Sequence, residues 1–286
     1  MTLDDLSSLL PMLLPATGGI FVLLMVVLAD DLDLRWHGFA ATVFLGMSGL
    51  AALFPLAHGD HVELFDHAVT IDAQALAFHL IFVVVAILTV LSSVQHLRAE
   101  GYDFGEFFAL VQFCVTGMSM MASSENLLTI FLGLEILSIS LYVLAGFSRD
   151  RVHAIEAALK YFLLGAFSTG FLLYGIALFY GASGRIDLPG IATHLSSGRG
   201  GPVDPLVLAA TALVLIGLAF KVAAVPFHFW APDVYQGAMA PVAGFMATGT
   251  KAAAFAALLR VLSVALGADP LQSRWAPSCI CWRCCR

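Results

Sequence analysis

The sequence predicts an all-α membrane protein, a polytopic bundle of about eight transmembrane helices with a discontinuous seventh helix. Three observations carry that prediction. Hydrophobic residues make up 60% of the 286-residue chain and charged residues 12%, against roughly 45–50% and 25% in soluble domains. The apolar residues gather into runs long enough to cross about 30 Å of hydrocarbon. All three lysines, Lys160, Lys221 and Lys251, lie within these runs, whereas most of the ten arginines lie between them.

The opening residues MTLDDL are acidic where a secretory signal would be basic, so the run after them reads as a retained first helix. The predicted spans are Pro11 to Ala29, Phe39 to Leu56, Ala73 to Val94, Phe107 to Ala122, Leu127 to Phe147, Ala157 to Tyr180, Leu206 to Phe229 and Pro241 to Leu266. They leave no room for a soluble domain. The longest connections, 58–72 and 181–204, carry turn residues and read as loops too short to fold alone. Arg35, Arg98, Arg149 and Arg151 fall on alternate connections, which by the positive-inside bias places the amino terminus outside; Arg185 and Arg199 are a mild violation. The acidic residues sit in short groups such as Asp30, Asp31 and Asp33, and no basic patch with interleaved aromatics suggests nucleic-acid binding. Lipid is the expected surround.

Ionisable groups at membrane depth cost about 2.5–3.5 kcal/mol each on an insertion scale and by default mark an ion or proton pathway. Glu135 stands near the centre of LLTIFLGLEILSISLYVLAGF, where its short stem cannot reach an interface, so it must face protein or water. Ser138 and Tyr142 share its helical face. The alternative is a permanently protonated packing residue. Lys221 ends an apolar run and is followed by Pro226, whose ring lacks the N–H for the carbonyl of Val222, so the helix should break beside the charge. His228 lies two residues further on, and a lysine, a broken turn and a histidine make a proton-loading site; a lysine snorkelling at a helix end is the competing reading. Lys251 is flanked by Thr248, Gly249, Thr250 and a run of alanines, small neighbours that admit close packing or water. Lys160 is nearer a helix start and is placed to snorkel or to pair with Glu156 four residues earlier. Lysine suits a relay because it can lose its proton, which arginine effectively cannot.

No Gly-rich loop ends in Gly-Lys-Ser/Thr, which disfavours ATP-driven transport. The nine histidines show no convincing metal spacing, so redox cofactors are expected in other proteins and none in this chain. The tail SCICWRCCR, with Cys279, Cys281, Cys284 and Cys285, differs in composition from everything before it. A shifted reading frame near residue 271 would produce it, and residues 271–286 are expected to be an aberrant tail rather than a metal site or an acylated end.

The segments LGLEILSISLYVLAGF, EAALKYFLLGAFSTGFLLYGIALFYG and FKVAAVPFHFWAPDVYQGAMAPVAGFMATGTKAAAF resemble the antiporter-like membrane subunits of the proton-pumping NADH:quinone oxidoreductase, respiratory complex I. The Ala-Thr-Gly-Thr-Lys context of the eighth helix is similar to subunit N rather than to its larger sisters L and M. The resemblance covers nearly all of residues 1–270. It implies that Glu135 modulates Lys221 on a discontinuous helix, that Lys251 relays the proton onward, and that Lys160 and His228 line the polar axis. It implies a subunit of an H+-translocating enzyme of the bacterial inner membrane, in contact with subunits such as M and K. NADH, FMN, iron–sulfur clusters and quinone would belong to other parts of that complex.

Members of that family have about fourteen helices, the second group of five repeating the first in inverted orientation. Residues 1–270 therefore read as an incomplete antiporter-like domain, with no counterpart of the lysine on the twelfth helix and so a relay without its far end. Two other readings remain open. One is a subunit of a cation/proton antiporter or membrane hydrogenase; the other is a structural or assembly-only membrane piece.

Overall fold

The computed structural model describes residues 3–29, 32–196 and 204–265. The cysteine-rich tail, the expected boundary near 271, and Asp30, Asp31 and Arg199 lie outside the described residues. Within them the regular structure is helical apart from one small hairpin. The helices are α1 (Leu3–Leu28), α2 (Leu34–His58), α3 (Ala73–Ala99), α4 (Glu106–Ala122), α5 (Leu127–Ala145), α6 (Val152–Ser183), α7 (Leu188–Ser196), α8 (Pro205–Val222), α9 (Ala231–Gly237), α10 (Ala240–Phe245) and α11 (Lys251–Arg260). A π-turn at Met246–Thr250 joins the last two, and Ala240–Ala265 forms one apolar span.

Seven of the described helices are long and apolar enough to cross a membrane. The remaining predicted span, the fourth, is α4, whose 17 residues extend only about 26 Å at 1.5 Å per residue. Its environment explains the shortfall: Phe107, Phe108, Val111, Cys114, Val115 and Met118 are fully enclosed by other helices, so α4 need not match the lipid. It touches α5 through glycine. A Cβ at Gly117 would lie 2.5 Å from the Gly133 carbonyl oxygen, and one at Gly133 would lie 2.8 Å from that of Gly117, so the two backbones meet where no side chain fits.

Helix ends are set by local chemistry. The side chains of Asp33, Asp72, Asn126 and Asp204 accept from the first-turn N–H groups of α2, α3, α5 and α8, satisfying donors that a helix cannot bond itself. Gly59 and Gly184 close α2 and α6 in the left-handed conformation, at φ of 69° and 68°. Inside α1, Pro15 has no N–H for the carbonyl of Pro11. Ser48 on α2 supplies the missing donor at 2.7 Å, and its oxygen lies 2.8 Å from Nε2 of the buried His79 on α3. The other ring nitrogen of His79 lies 2.8 Å from the Ser119 hydroxyl on α4. An imidazole donating from Nε2 and accepting at Nδ1 satisfies this chain, which ties four helices together.

The connections gather on two opposite ends. At one, Arg98 pairs with Asp33, Arg151 with Glu100, and the Tyr102 hydroxyl donates to Asp150 at 3.4 Å. The backbone N–H of Arg35, then the Arg98 guanidinium, hold the Asp33 carboxyl below its ordinary range. At the other end, the segment read as a loop over 58–72 contains an antiparallel hairpin, β1 (Val62–Leu64) with β2 (Val69–Ile71). The segment over 181–204 contains α7, whose first turn Asp187 caps through the Gly190 N–H at 2.7 Å. Burial raises the Asp187 carboxyl, but Arg185 and the Gly190 N–H outweigh it and hold it below the ordinary range. Arg185, mildly out of place by the positive-inside bias, is thus paired with Asp187 at 2.7 Å.

Candidate functional site

The seventh helix breaks where the sequence predicts. α8 ends at Val222, Ala223 turns into the left-handed region at φ 60°, the Val225–Pro226 bond is cis, and the chain becomes helical again only at Ala231. The break frees helix carbonyls. That of Phe220 accepts from the Ala223 N–H and, at 3.0 Å, from the Trp230 indole N–H. Trp230 therefore folds back against the broken end, stacked on Phe220 and Tyr161 at ring separations of 5.4 and 4.9 Å.

Lys221 lies immediately before this break. It is 3% exposed, which rules out snorkelling. Its ammonium donates at 2.9 Å to the Ser138 hydroxyl on α5 and at 2.9 Å to the Tyr161 hydroxyl on α6. It also sits 5.1 Å from the Tyr161 ring centre and 6.0 Å from that of Tyr142, within cation–π range. Three helices thus converge on one amine. Ser138 and Tyr142 are the residues that share the helical face of Glu135, so the polar stripe reaches Lys221 through its other two members. Glu135 itself is half-buried and makes no direct ion pair with Lys221 among the described residues. Glu135 stands one helical turn before Ser138 on the same helix.

His228 takes a different place from the one its sequence position suggests. The 223–230 connection runs along the outside, with Val225, His228 and Phe229 exposed. The His228 side chain makes no hydrogen bond or ion pair among the described residues. Closeness in sequence across a break does not carry over into space, and the partners of the Lys221 amine come instead from α5 and α6.

Lys251 opens α11 after the π-turn, half-buried, with its amine 5.6 Å from the ring centre of Tyr235 on α9. Tyr235 packs edge-on against Trp230 at 6.0 Å. Its hydroxyl is buried without a hydrogen-bond partner among the described residues. The small residues beside Lys251 serve close packing, since a Cβ at Gly249 would lie 3.3 Å from the Met118 sulfur. The side chains of Thr248 and Thr250 bond back to Gly244 and Met246 at 2.8 and 2.6 Å.

Lys160 lies outside the buried group. It pairs with Glu156 at 2.8 Å, as its spacing predicts, and with Asp233 on α9 at 2.7 Å, all three half exposed. It fixes α9 against α6, where a Cβ at Gly237 would lie 2.4 Å from that of Ala157. Lys221, Ser138 and Tyr142 thus form one centre, Lys251 stands at its edge, and Lys160 anchors the helix between them.

Sequence reasoning did not single out Tyr161, Trp230 and Tyr235, which read as aromatic filling in apolar helices. It also passed over Arg260, which is 2% exposed and donates to the Ala122 carbonyl at 2.7 Å, to Asp72 at 2.6 Å and to Glu125 at 3.1 Å. That cluster joins the last helix to α3, α4 and the 123–126 connection.

Residues 124–281 match the family described as NADH:quinone oxidoreductase/Mrp antiporter, TM. The chain is 43% identical over 264 residues to NADH-quinone oxidoreductase subunit N of Trichlorobacter lovleyi, covering 92% of this chain and 54% of the relative. It is 45% identical over 272 residues to the same subunit of Salinibacter ruber, covering 90% and 53%. A chain in the solved structure of respiratory complex I from Thermus thermophilus with bound aureothin superposes with a TM-score of 0.74 at 37% identity, over 91% of this chain and 54% of that one. A chain of the archaeal membrane-bound sulfane sulfur reductase shares the fold, with a TM-score of 0.81 at 24% identity over 95% and 56%. The chain spans about half the length of the curated relatives it matches.

Proposed function

Since the chain belongs to the NADH:quinone oxidoreductase/Mrp antiporter family of membrane subunits, we propose that it serves as the proton-translocating subunit N of an NADH:quinone oxidoreductase. The carrying observation is Lys221, an amine buried beside a broken helix and held by Ser138 and Tyr161 on two other helices. A hydrogen bond to a charged group contributes about 1.5–3 kcal/mol, and moving one charge through 100 mV involves about 2.3 kcal/mol. Making or breaking one of these bonds therefore changes the proton's hold on Lys221 by as much as a membrane potential does. Glu135 biases that hold from one turn away, Lys251 receives the proton, and Lys160 keeps α9 in place.

In this reading NADH, FMN, iron–sulfur clusters and quinone sit in other subunits, and this chain couples to their chemistry through neighbouring membrane subunits such as M and K. The complex lies in a bacterial inner membrane. The end bearing Arg98, Arg149 and Arg151 faces the cytoplasm and the amino terminus faces the periplasm, as the distribution of basic residues favours. The test is Lys221→Ala in the full-length subunit within assembled complex. NADH oxidation that no longer drives proton translocation through this subunit supports the reading; an unchanged proton-to-electron ratio refutes it.

A further inference from the structure

We propose that the hydroxyls of Tyr161 and Tyr235, two tyrosines whose rings both pack against Trp230, carry the proton between Lys221 and Lys251. This inference rests on the proton-translocating reading of the two lysines and adds the groups that connect them. Lys221 donates to the Tyr161 hydroxyl at 2.9 Å, so the hydroxyl's own proton points elsewhere. Tyr161 is stacked on one part of the Trp230 indole at 4.9 Å, and Tyr235 meets the same indole edge-on at 6.0 Å. The Tyr235 hydroxyl is buried and without a protein partner among the described residues, a costly arrangement for a hydroxyl that does no more than fill space. Lys251 holds its amine over the ring of that same tyrosine. One lysine, two hydroxyls with bonding capacity to spare, and a second lysine therefore follow one another around a single aromatic side chain.

The step balances without a charged tyrosine. The Lys221 ammonium gives its proton to the Tyr161 oxygen as that hydroxyl releases its own proton to a bridging water. Tyr235 accepts from the water at its oxygen and releases its hydroxyl proton, through a second water, to the neutral amine of Lys251. Both tyrosines end neutral with their hydroxyls turned, one proton has moved, and rotation of the two O–H bonds resets the path. Trp230, whose only N–H is committed to the Phe220 carbonyl, holds both rings and takes no part in the transfer. The break in the helix thus does two things at once: it frees the carbonyl that orients Trp230, and it brings α9 with Tyr235 to the lysine.

The experiment compares Tyr235→Phe with Lys221→Ala in the full-length subunit within assembled complex, measuring proton translocation per NADH oxidised and its solvent deuterium isotope effect. Tyr235→Phe keeps the ring over Lys251 and the edge against Trp230, and removes only the hydroxyl. The expected result is a fall in translocation through this subunit of about 100-fold, the scale of a lost proton-transfer group, with partial recovery in Tyr235→His. Wild-type translocation in Tyr235→Phe alongside its loss in Lys221→Ala overturns the relay and leaves the reading of the lysine standing. Wild-type translocation in both variants overturns the functional reading and the relay with it. Should Tyr235→Phe fail to assemble, Tyr161→Phe decides against Ser138→Ala, which removes the other hydrogen bond to the same amine: normal translocation, or a loss no larger than in Ser138→Ala, refutes the relay, and a larger loss with an altered isotope effect supports it.

Discussion

Replacing Ser138 with alanine tests the centre while disturbing the fold little. The Ser138 hydroxyl accepts from Lys221 at 2.9 Å and bonds back to the Leu134 carbonyl at 2.5 Å. That carbonyl also has the helical N–H four residues on, so it is not orphaned by the change. The ammonium keeps Tyr161 and its place beside the Tyr142 ring but loses one of its two hydrogen bonds. A bond to a charged group is worth about 1.5–3 kcal/mol, so the proton-binding constant of Lys221 should fall roughly 10- to 150-fold. Proton translocation per NADH oxidised, measured in vesicles carrying assembled complex, should fall in proportion when loading limits the step, with complex content unchanged. Combining Ser138→Ala with Tyr161→Phe should cost more than the two single effects added, because both hydroxyls hold the same amine. Wild-type translocation in Ser138→Ala, or strict additivity in the pair, would refute the reasoning.

Two predictions concern the ends of the bundle. Arg260→Ala leaves the carboxylates of Asp72 and Glu125 without their shared cation, which should destabilise the protein by about 3 kcal/mol or more; a thermal unfolding midpoint equal to wild type in detergent would contradict this. Asp33, whose carboxyl is held below its ordinary range by the Arg35 N–H and by Arg98, contributes stability that is present above the unfolded carboxylate range and lost as pH falls through the folded one. Asp33→Ala should therefore lower the melting temperature at pH 7 and by progressively less as pH falls below the ordinary carboxylate range, and an equal difference across that range would show that the charge is irrelevant.

Much of this architecture is legible in the sequence because the bilayer leaves few options. A run such as Ala73 to Val94 must satisfy its own backbone, and it does so as α3. The break after Lys221 follows from the missing N–H of Pro226, and the polar stripe of Glu135, Ser138 and Tyr142 follows from helical spacing; two of its three members touch the lysine. What stayed hidden depends on where helices meet. Tyr161 and Tyr235 stand in apolar surroundings where an aromatic residue usually fills space, and only the crossing of α6 and α9 at Trp230 gives their hydroxyls a role. His228 lies only seven positions from Lys221 in sequence, and the exposed turn carries it away. The hairpin and α7 were read as loops because their strands are three residues long and because Pro189 and Gly190 open the helix. Arg260 gives no signal in the sequence, since its partners Asp72 and Glu125 lie 188 and 135 positions away.

The most direct test of the central claim is Lys221→Arg in the full-length subunit of assembled complex. Arginine keeps the positive charge and can donate to Ser138 and Tyr161, but it does not release a proton in this range. A Lys221 that carries the proton predicts a complex that assembles and oxidises NADH yet moves no protons through this subunit. Normal translocation with arginine at that position would mean that the site needs a fixed charge and no mobile proton, and would contradict the account.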